Sequence, residues 1–325
     1  TIAGFAERCA AAAGKSTNFE IHAVDRRFGG NGPLLAHAMA SIGTGVTYVG
    51  SIGQPGAPDR VDPLYDPLVQ RCERVVSVSP AAATDALEFD DGKLMFNKPA
   101  NVQAVTWPML VERIGLDAFR SWAETSTTIA VVNWVLMQGV EGIWRGLMND
   151  VLPELSPNPN RRMFVDLSDP AKRTDSDIAR AMRLLSEMND LIPVMLGLNL
   201  AEAQRIATVL GVDAGPEDAT DLARVIRIAV GLECCVVHPR HGAAAATTDQ
   251  VAWFDGPFTR SPRLSTGAGD HFNGGFVLAR GLGFDLGQCL AVGCAVSGAY
   301  VRDGVSPGRA RLERFLRTMP PRQSP

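Results

Sequence analysis

The chain has 325 residues, of which 46% are hydrophobic and 20% are charged, proportions typical of a globular protein with a substantial apolar core. Its net charge of −4 at pH 7 argues against binding to nucleic acid, and no apolar stretch reaches the roughly 18 residues that span a bilayer, so no membrane partner is expected. Six cysteines without CxxC spacing predict buried, reduced thiols rather than a disulfide or zinc framework, so the expected location is cytoplasmic.

The start of the chain carries a fragment of a phosphate-binding motif. Gly14-Lys15-Ser16-Thr17 is the second half of a P-loop, but Cys9 stands where the full motif requires a glycine. A P-loop also follows a strand and opens a helix, whereas here an alanine-rich helical run precedes the segment and a strand-like run follows it. We therefore predict a helix C-terminus, with Gly14 in the left-handed conformation.

The next part of the chain combines helices and strands with one hairpin. The pattern predicts a strand over Asn18 to Arg27, a helix over Leu34 to Ile42 and a strand over Gly45 to Ile52. Alternating residues over Ala86 to Phe96 are interrupted by Asp90-Asp91-Gly92, which is typical of a β-hairpin. This hairpin indicates a small sheet that stands apart from the main one.

After residue 110, strands and amphipathic helices alternate regularly. The predicted strands are Thr128 to Asn133, Met163 to Asp166, Val194 to Leu198 and Cys234 to His238, and the predicted helices are Ser176 to Met188, Ala201 to Leu210 and Ala219 to Val230. Alternation of this kind predicts an α/β fold with three α/β/α layers around a mostly parallel central sheet. Ligands of such folds bind beyond the carboxyl ends of the strands, which makes Asp166 a candidate for substrate or metal binding and Asn133 a weaker one.

The strongest chemical signal is Ser265-Thr266-Gly267-Ala268-Gly269-Asp270-His271-Phe272-Asn273-Gly274-Gly275. A glycine turn that opens a helix directs several free N–H groups at one point, and the helix dipole favours an anion there. Asp270, at the mouth of the turn, could accept a proton from an incoming hydroxyl. The alternative is a plain glycine turn in which Asp270 caps the helix.

This segment resembles the C-terminal signature T-G-A-G-D-x-F-x-G-G of the ribokinase-like (PfkB) carbohydrate kinases. The resemblance implies that the backbone of Gly267, Ala268 and Gly269 forms an anion hole for the transferred phosphoryl group and that Asp270 is the catalytic base. It also implies ATP as co-substrate, Mg²⁺ as cofactor and a sugar or sugar-like acceptor. The family's architecture predicts one ribokinase-like domain over residues 1–325, with a small β-sheet lid from segments at about 15–30 and 84–100. Such lids can pair, so a homodimer through the lid is expected.

Further segments follow the family's order along the chain. Asn199-Leu200-Ala201-Glu202 resembles the N-x-x-E motif that organises magnesium and phosphate, although a helix cap explains the same residues. Gly29, Gly30 and Asn31 resemble the segment whose backbone lies against the substrate. The resemblance further implies nucleotide contacts by four residues in addition to Asn199, Glu202, Gly267 and Gly269, namely Val237, Gly242, Thr266 and Gly298.

Two departures from the family pattern affect these expectations. Leu264 replaces an aspartate that helps many members to hold a monovalent cation, which argues against activation by potassium. His238 and Pro239 interrupt the nucleotide-contacting turn, and Pro239 removes a backbone donor. The histidines show no metal-ligand spacing, so structural roles are predicted for them.

Two alternatives to a sugar kinase stay open at this point. A nucleoside kinase would use the same scaffold, and Phe89, Phe96 and Trp107 could supply apolar contacts to a purine. A catalytically silent sugar- or nucleotide-binding protein would retain the scaffold without turnover, but the combination of base and anion hole argues against it. The sequence does not identify the acceptor.

Overall fold

The computed structural model describes residues 1–215 and 218–323, with the side chain of Ala171 excepted. Within this range the strands are β1 (Thr47–Gln54), β2 (Ala57–Val61), β3 (Arg74–Pro80), β4 (Ala83–Phe89), β5 (Gly92–Lys98), β6 (Thr128–Val132), β7 (Arg162–Asp166), β8 (Val194–Leu198), β9 (Cys234–Val237), β10 (Gly242–Ala246) and β11 (Val251–Asp255). The α-helices are α1 (Ile2–Ala11), α2 (Asn31–Ser41), α3 (Asp66–Val69), α4 (Ala100–Gln103), α5 (Trp107–Ile114), α6 (Leu116–Thr125), α7 (Val140–Gly146), α8 (Asp175–Asn189), α9 (Leu200–Leu210), α10 (Ala219–Val230), α11 (Ala268–Gly281), α12 (Leu286–Asp303) and α13 (Arg309–Arg317).

The central sheet has six strands in the order β11-β10-β9-β8-β7-β6. Strands β6 to β9 are parallel, whereas β10 and β11 join the sheet antiparallel. The register pairs Val132 with Asp166, Asp166 with Gly197, and Leu198 with Val237, so the four parallel strands end at the same edge of the sheet. This edge is where the strand pattern predicts the functional residues.

Helices cover both faces of the central sheet, because successive residues of its buried strands point to opposite sides. Val165 and Cys235 lie in the apolar core that also contains Ile178 of α8, Ile206 of α9 and Ile226 of α10. On the other face, Phe164 and Cys234 pack with Phe272 and Phe276 of α11 and with Leu290 of α12. The predicted three-layer α/β/α architecture with a mostly parallel sheet is therefore confirmed.

Two smaller sheets lie in the N-terminal third of the chain. Strands β2, β1 and β3 form one sheet, in which β1 is parallel to β3 and antiparallel to β2. The hairpin β4–β5 forms the other, with Phe89 paired to Gly92 across the turn. The predicted hairpin is confirmed, and so is the small sheet that it forms.

The strand predicted over Asn18 to Arg27 is wrong, because residues 16–29 contain no regular secondary structure. The alternation in this segment has no sheet to match, since Ile21 is 64% exposed and Val24 is 97% exposed. Phe19 is the exception, as its ring lies 5.2 Å from that of Phe5, which in turn lies 5.6 Å from Phe89 of the hairpin. The first of the two segments assigned to the lid is therefore linked to the hairpin only indirectly in these aromatic contacts, through Phe5 of α1.

The interpretation of Gly14 is confirmed. Helix α1 ends at Ala11, the N–H of Lys15 donates to the carbonyl of Ala12 at 2.9 Å, and Gly14 has a φ of 74°. The segment Gly14 to Thr17 thus ends a helix instead of opening one, and no phosphate-binding P-loop is formed.

The cysteines have free thiols, and Cys234, Cys235, Cys289 and Cys294 are buried. The prediction of buried thiols is confirmed for these four and is wrong for Cys9, which is exposed, while Cys72 is partly buried. None of the helices in the described part of the chain combines the length and the apolarity that a membrane span requires.

Candidate active site

The candidate site lies where the carboxyl ends of the parallel strands meet the N-termini of α2 and α11. Asn133 follows β6, Asp166 ends β7 and Asn199 follows β8. From outside the sheet, α2 contributes Asn31 and α11 contributes Asp270. The side chain of Asn31 donates a hydrogen bond from Nδ2 to Oδ1 of Asp270 at 3.1 Å, which joins the two helices.

The turn before α11 requires glycine at Gly267. This residue has a φ of 89°, which L residues rarely adopt, and it occupies the N-cap position of α11. A Cβ atom there would also lie 2.8 Å from Leu34 Cδ1 and 3.1 Å from the hydroxyl of Tyr300. Gly267 is the N-cap and supplies no side chain, so Asp270 does not occupy the N-cap position, although its carboxyl group accepts a hydrogen bond from its own N–H in the first turn of α11.

The N–H groups of this turn are used unequally. The N–H of Ala268 donates to the carbonyl of Ser265 at 3.2 Å, and the N–H of His271 donates to Gly267 at 3.1 Å. The N–H groups of Gly269 and Asp270 fall in the first turn of α11, where an α-helix offers no carbonyl partner. The N–H of Asp270 also hydrogen bonds to the carboxyl group of the same residue. The turn therefore presents the N–H of Gly269 to an anion more readily than those of Ala268 and Asp270, which are already bonded.

Asp270 is a buried carboxyl group, with 9% of its surface exposed. Its pKa lies well above the ordinary range, because burial disfavours the charged form and because the charges of Asp166 and Glu202 add to this effect. The hydrogen bond from Asn31 acts in the opposite direction. A carboxyl group held in this way suits proton transfer near neutral pH.

Asp166 is buried next to Asp270 and has two defined donors. The N–H of Ser168 donates to Oδ1 at 2.8 Å, and Nδ2 of Asn273 donates to Oδ2 at 2.7 Å. Burial nevertheless raises the pKa of Asp166. Asn273 lies one helical turn after Asp270 and was missed by the sequence analysis, although its spacing of three residues from Asp270 placed it on the same face of α11.

A second group of polar side chains holds Asn31 in place. The hydroxyl of Ser168 donates to Oδ1 of Asn31 at 3.1 Å and also contacts Oδ1 of Asn133 at 3.3 Å. With its oxygen accepting from Ser168, Asn31 must turn its Nδ2 donor to Asp270. Asn133 has a φ of 71° and Ser168 a φ of 61°. Residues other than glycine rarely adopt such a backbone conformation, and those that do are found preferentially at functional sites.

The N-x-x-E segment forms a complete capping box at the start of α9. Oδ1 of Asn199 accepts from the N–H of Glu202 at 3.0 Å, and Oε2 of Glu202 accepts from the N–H of Asn199 at 2.8 Å. Glu202 is buried, and burial, together with the charge of Asp166, raises its pKa to about 8. The interpretation of this motif as a helix cap is therefore confirmed. The carboxyl group of Glu202 is also close enough to that of Asp166 for the two charges to interact.

Family membership follows from the sequence as a whole. A family model of prokaryotic ketohexokinases matches residues 1–319. The chain belongs to the prokaryotic ketohexokinase family. It is thus an enzyme, a phosphotransferase of the carbohydrate-kinase class that acts on a sugar hydroxyl, and the predicted resemblance to the PfkB kinases is confirmed.

Individual relatives of this ketohexokinase-family chain agree with that assignment. The chain is 29% identical over 322 residues to a ketohexokinase from Haloferax volcanii, which covers 97% of the chain and 82% of that protein. A PfkB protein from Polaromonas sp. JS666 superposes with a TM-score of 0.65 at 15% identity, covering 92% of this chain and 93% of the other. A protein from Escherichia coli assigned as a ribokinase II, solved with ATP and Mg²⁺, gives a TM-score of 0.67 at 13% identity and covers 93% of both chains. At these identities the two structures show the ribokinase-like fold.

The residues assigned to the nucleotide in this family member lie mostly in tightly packed positions. Val237 is buried in the core, and a Cβ at Gly242 would lie 2.6 Å from the carbonyl oxygen of Phe254. A Cβ at Gly298 would lie 2.5 Å from the ring of Pro257, and the carbonyl of Thr266 accepts a hydrogen bond from Tyr300 at 2.7 Å. The described contacts of these four residues are packing and backbone contacts. If they bind the nucleotide, they would do so with backbone N–H or carbonyl groups rather than with side chains.

Gly29 and Gly30 precede the sugar-side candidate Asn31. Gly30 has a φ of 93° and is the N-cap of α2, whereas a Cβ at Gly29 would meet no atom within 4 Å. The structure thus requires glycine at Gly30 for its backbone conformation, and at Gly29 it leaves open space beside the chain. Of the predicted substrate residues, Asn31 and Asp166 belong to the polar cluster around Asp270, and the two glycines position the helix that carries Asn31.

Proposed function

We propose that the chain transfers the γ-phosphoryl group of ATP to a hydroxyl group of a ketohexose, with Asp270 as the general base. The observation that supports this most directly is the buried carboxyl group of Asp270, which lies at the uncapped N-terminus of α11 and accepts a hydrogen bond from Asn31. A base and a group of anion-binding N–H donors thus lie at the same point. Phosphoryl transfer needs this pair, because the hydroxyl must lose its proton as charge develops on the phosphoryl oxygens.

Asp270 would act on the sugar hydroxyl that replaces Asn31 as its hydrogen-bond partner or shares the carboxylate with it. A base works best when its pKa lies near the working pH, and burial raises the pKa of Asp270 in that direction. The N–H group of Gly269, together with the positive end of the α11 dipole, would stabilise the transferred group. No covalent enzyme intermediate is required.

The residues fit a bound Mg²⁺ ion in chemistry, although the described residues form no group of three or more close metal ligands. Asp166 and Glu202 are buried acids whose pKa values are raised, which is the situation that a divalent cation relieves. We propose that Glu202 and Asp166, with Asn199 nearby, hold the ion largely through water. When bound, Mg²⁺ would neutralise charge on the nucleotide phosphates. Its binding alongside ATP is supported by the E. coli ribokinase II structure with the same fold.

A ketohexose is favoured by the Haloferax volcanii relative and by the polar side chains at the site. Asn31, Ser168 and Asn133 present amide and hydroxyl groups beside Asp270 and hydrogen bond to one another. The hydroxyl groups of a sugar could form hydrogen bonds to these side chains in place of the hydrogen bonds that the side chains now form with one another. A nucleoside base would instead need an apolar or aromatic surface at this point, and the described contacts of the cluster are polar.

The test is a coupled assay of ADP release with Mg²⁺ and ATP over ketohexoses, aldohexoses, pentoses, sugar acids, sugar phosphates and nucleosides. We expect turnover with a ketohexose. Asp270→Asn should lower kcat by roughly 10²- to 10⁴-fold, since the amide keeps the contact with Asn31 but cannot accept the proton. The same substitution removes a buried charge that is repelled by Asp166, so its melting temperature should be equal to or above that of the wild type.

The matched control is Asp249→Asn, which changes an exposed aspartate in the turn between β10 and β11 and should leave kcat unchanged. Turnover of a nucleoside in preference to every sugar would replace the proposed substrate class. A folded Asp270→Asn enzyme that retains wild-type kcat would overturn the assignment of the base.

We also propose that two copies pair through the β4–β5 hairpin. Each strand of this two-stranded sheet has one edge without a strand partner among the described residues, and Met95 and Phe96 are both 48% exposed. Free strand edges with apolar side chains favour pairing with another chain. Light scattering should therefore give a dimer for the wild type and a monomer for Phe96→Glu, and a wild-type monomer at micromolar concentration would contradict the proposal.

A further inference from the structure

His271 follows the proposed base directly and is fully buried, with 0% of its surface exposed. Both of its ring nitrogens have partners. Nδ1 lies 2.7 Å from the carbonyl oxygen of Gly267, and Nε2 lies 2.7 Å from the hydroxyl of Ser306. The same hydroxyl lies 2.8 Å from Nδ1 of His37 on α2. The proposed reaction assigns no role to any of these three side chains.

The direction of each hydrogen bond in this group follows from the carbonyl acceptor of Gly267 and from the neutral state of the His271 ring. A carbonyl oxygen can only accept, so Nδ1 of His271 donates to Gly267 and its Nε2, in the neutral ring, must accept. Ser306 therefore donates to His271, and its oxygen accepts from Nδ1 of His37. Burial, which disfavours the charged ring, lowers the pKa of His271 to about 4, so the neutral form applies at physiological pH.

Tyr300 holds the neighbouring peptide of the same turn. Its ring stacks on His271 at a centroid distance of 3.6 Å, and its hydroxyl donates to the carbonyl of Thr266 at 2.7 Å. Two successive carbonyls, those of Thr266 and Gly267, are thus fixed by side chains. Because the trans peptide is planar, each fixed carbonyl also fixes the N–H group in the same peptide, those of Gly267 and Ala268. The Ala268 N–H is bonded to Ser265, so these peptides act by fixing the direction in which the chain enters α11 and hence the position of the Gly269 N–H that follows.

The same side chains connect three separate elements around the site. His37 belongs to α2, the helix whose first residue, Asn31, bonds to Asp270. His271 belongs to α11, and Ser306 lies in the loop between α12 and α13. Helices α2 and α11 also pack closely, since a Cβ at Gly274 would lie 3.2 Å from Cβ of Ala38. A displacement of α2 would therefore change the contact to Ser306 and, through His271, the glycine turn.

We propose that His37, Ser306 and His271 form a positioning relay, which orients the Gly267–Ala268 peptide and couples the anion-binding turn to the substrate-side helix α2. This inference rests on the proposed function, since it concerns the geometry of the same phosphoryl-transfer site. The three residues touch neither the sugar nor the phosphoryl group in this role. They act through the turn, and their removal should affect the transition state more than either bound substrate.

Ser306→Ala breaks both bonds of the central hydroxyl with the smallest change in volume. We expect kcat to fall roughly 10-fold, while the KM values for sugar and ATP stay within about 3-fold of the wild type. Ser306→Thr keeps the hydroxyl and should restore most of the rate. His37→Asn keeps a donor near the Nδ1 position and should stay close to the wild type, whereas His37→Leu should resemble Ser306→Ala.

Binding of a transition-state mimic separates positioning from general loss of stability. Calorimetry with Mg²⁺ and ADP alone should give a Kd for Ser306→Ala within about 2-fold of the wild type. With ADP, aluminium fluoride and the sugar, the Kd should rise roughly 10-fold, because the fluoride complex occupies the position of the transferred group. Ser126→Ala is the matched control, since its hydroxyl donates to the carbonyl of Trp122 at 2.7 Å near the amino end of β6, away from the site.

The outcomes distinguish this inference from the proposed function. Absence of wild-type turnover with every acceptor would overturn the proposed function and the relay with it. Wild-type turnover together with an unchanged kcat in Ser306→Ala would overturn the relay alone. Equal losses of affinity for ADP and for the fluoride complex would also overturn it, since they would indicate a structural role only.

Discussion

Helices α9 and α11 both begin at the site, but side chains cap the N-terminus of α9 and not that of α11. Asn199 and Glu202 close the start of α9 with a reciprocal capping box, so two of its N–H groups are satisfied by side chains. Gly267 opens α11 without any side-chain cap. A helix N-terminus that the protein leaves without side-chain acceptors is available to a ligand, whereas a capped one serves mainly the fold. The difference predicts distinct effects for substitutions at the two ends.

Among substitutions that test this contrast between the two helices, the largest effect is expected at Gly267. In Gly267→Ala the new Cβ would press on Leu34 and Tyr300 and would strain a backbone with a φ of 89°. We expect kcat to fall roughly 10²- to 10³-fold through misplaced donors, as for the loss of an oxyanion-hole donor. Steady-state kinetics with the ketohexose would measure this.

Gly283→Ala is the matched control for that substitution. Gly283 has a φ of 76°, but a Cβ there would meet no atom within 4 Å, and the residue lies beyond the far end of α11. It should lose about 1–2 kcal/mol of unfolding free energy from backbone strain, with kcat unchanged. Equal losses of kcat in the two variants would contradict the special role of the uncapped turn.

An intermediate effect is expected from the charge of Glu202. Its carboxyl has a pKa of about 8 in the folded protein against 4.5 in the unfolded chain, so the folded state binds the proton more tightly. The stability of the metal-free protein should therefore decline as the pH rises from about 4.5 to 8, by at most about 4 kcal/mol. Denaturant unfolding in EDTA at several pH values would measure the decline.

Glu202→Gln provides the comparison for the pH series, because the amide oxygen still accepts from Asn199 but carries no charge. Its unfolding free energy should change less over the same pH range. Mg²⁺ at pH 8 should stabilise the wild type more than this variant. Parallel pH curves for the two proteins would show that the carboxyl group titrates normally.

The smallest effect is expected at the cap of α9. Asn199→Ala removes the acceptor for the N–H of Glu202 and should cost about 1 kcal/mol of unfolding free energy, with kcat within about 3-fold. Asn199→Ser retains a capping oxygen and should recover the stability. If both variants lose Mg²⁺ affinity equally while only Asn199→Ala loses stability, Asn199 also serves the metal, and the contrast between the two helices would be weaker.

The elements around the site were predictable because their signals are local. The strand over Val194 to Leu198 is bounded as predicted, and α10 spans Ala219–Val230 as its apolar periodicity indicates. The glycine turn and Asp270 were recognisable for the same reason, since motif and conformation occupy a few consecutive residues. The predicted roles of these residues stay predictions until the variants are measured.

The side-chain network was not predictable in this way. Ser168 bonds to Asn31 across 137 positions of sequence, and Ser306 bonds to His37 across 269. No periodicity records such pairs, because they depend on how the helices pack around the sheet. The strand predicted over Asn18 to Arg27 was wrong for a different reason. The alternation is present in the sequence, but no neighbouring strand pairs with this segment in the described structure.

The adjacent thiols of Cys234 and Cys235 can be used to measure how fast each of the two helical layers separates from the central sheet. One lies in the core shared with α11 and α12 and the other in the core shared with α8, α9 and α10, and both are 0% exposed. A thiol reagent can reach each sulfur only after the layer above it separates from the sheet. With one of the two cysteines replaced at a time, the labelling rate of the other would report local opening on its own side of the sheet. Measurements with and without nucleotide or sugar would show which side each ligand stabilises.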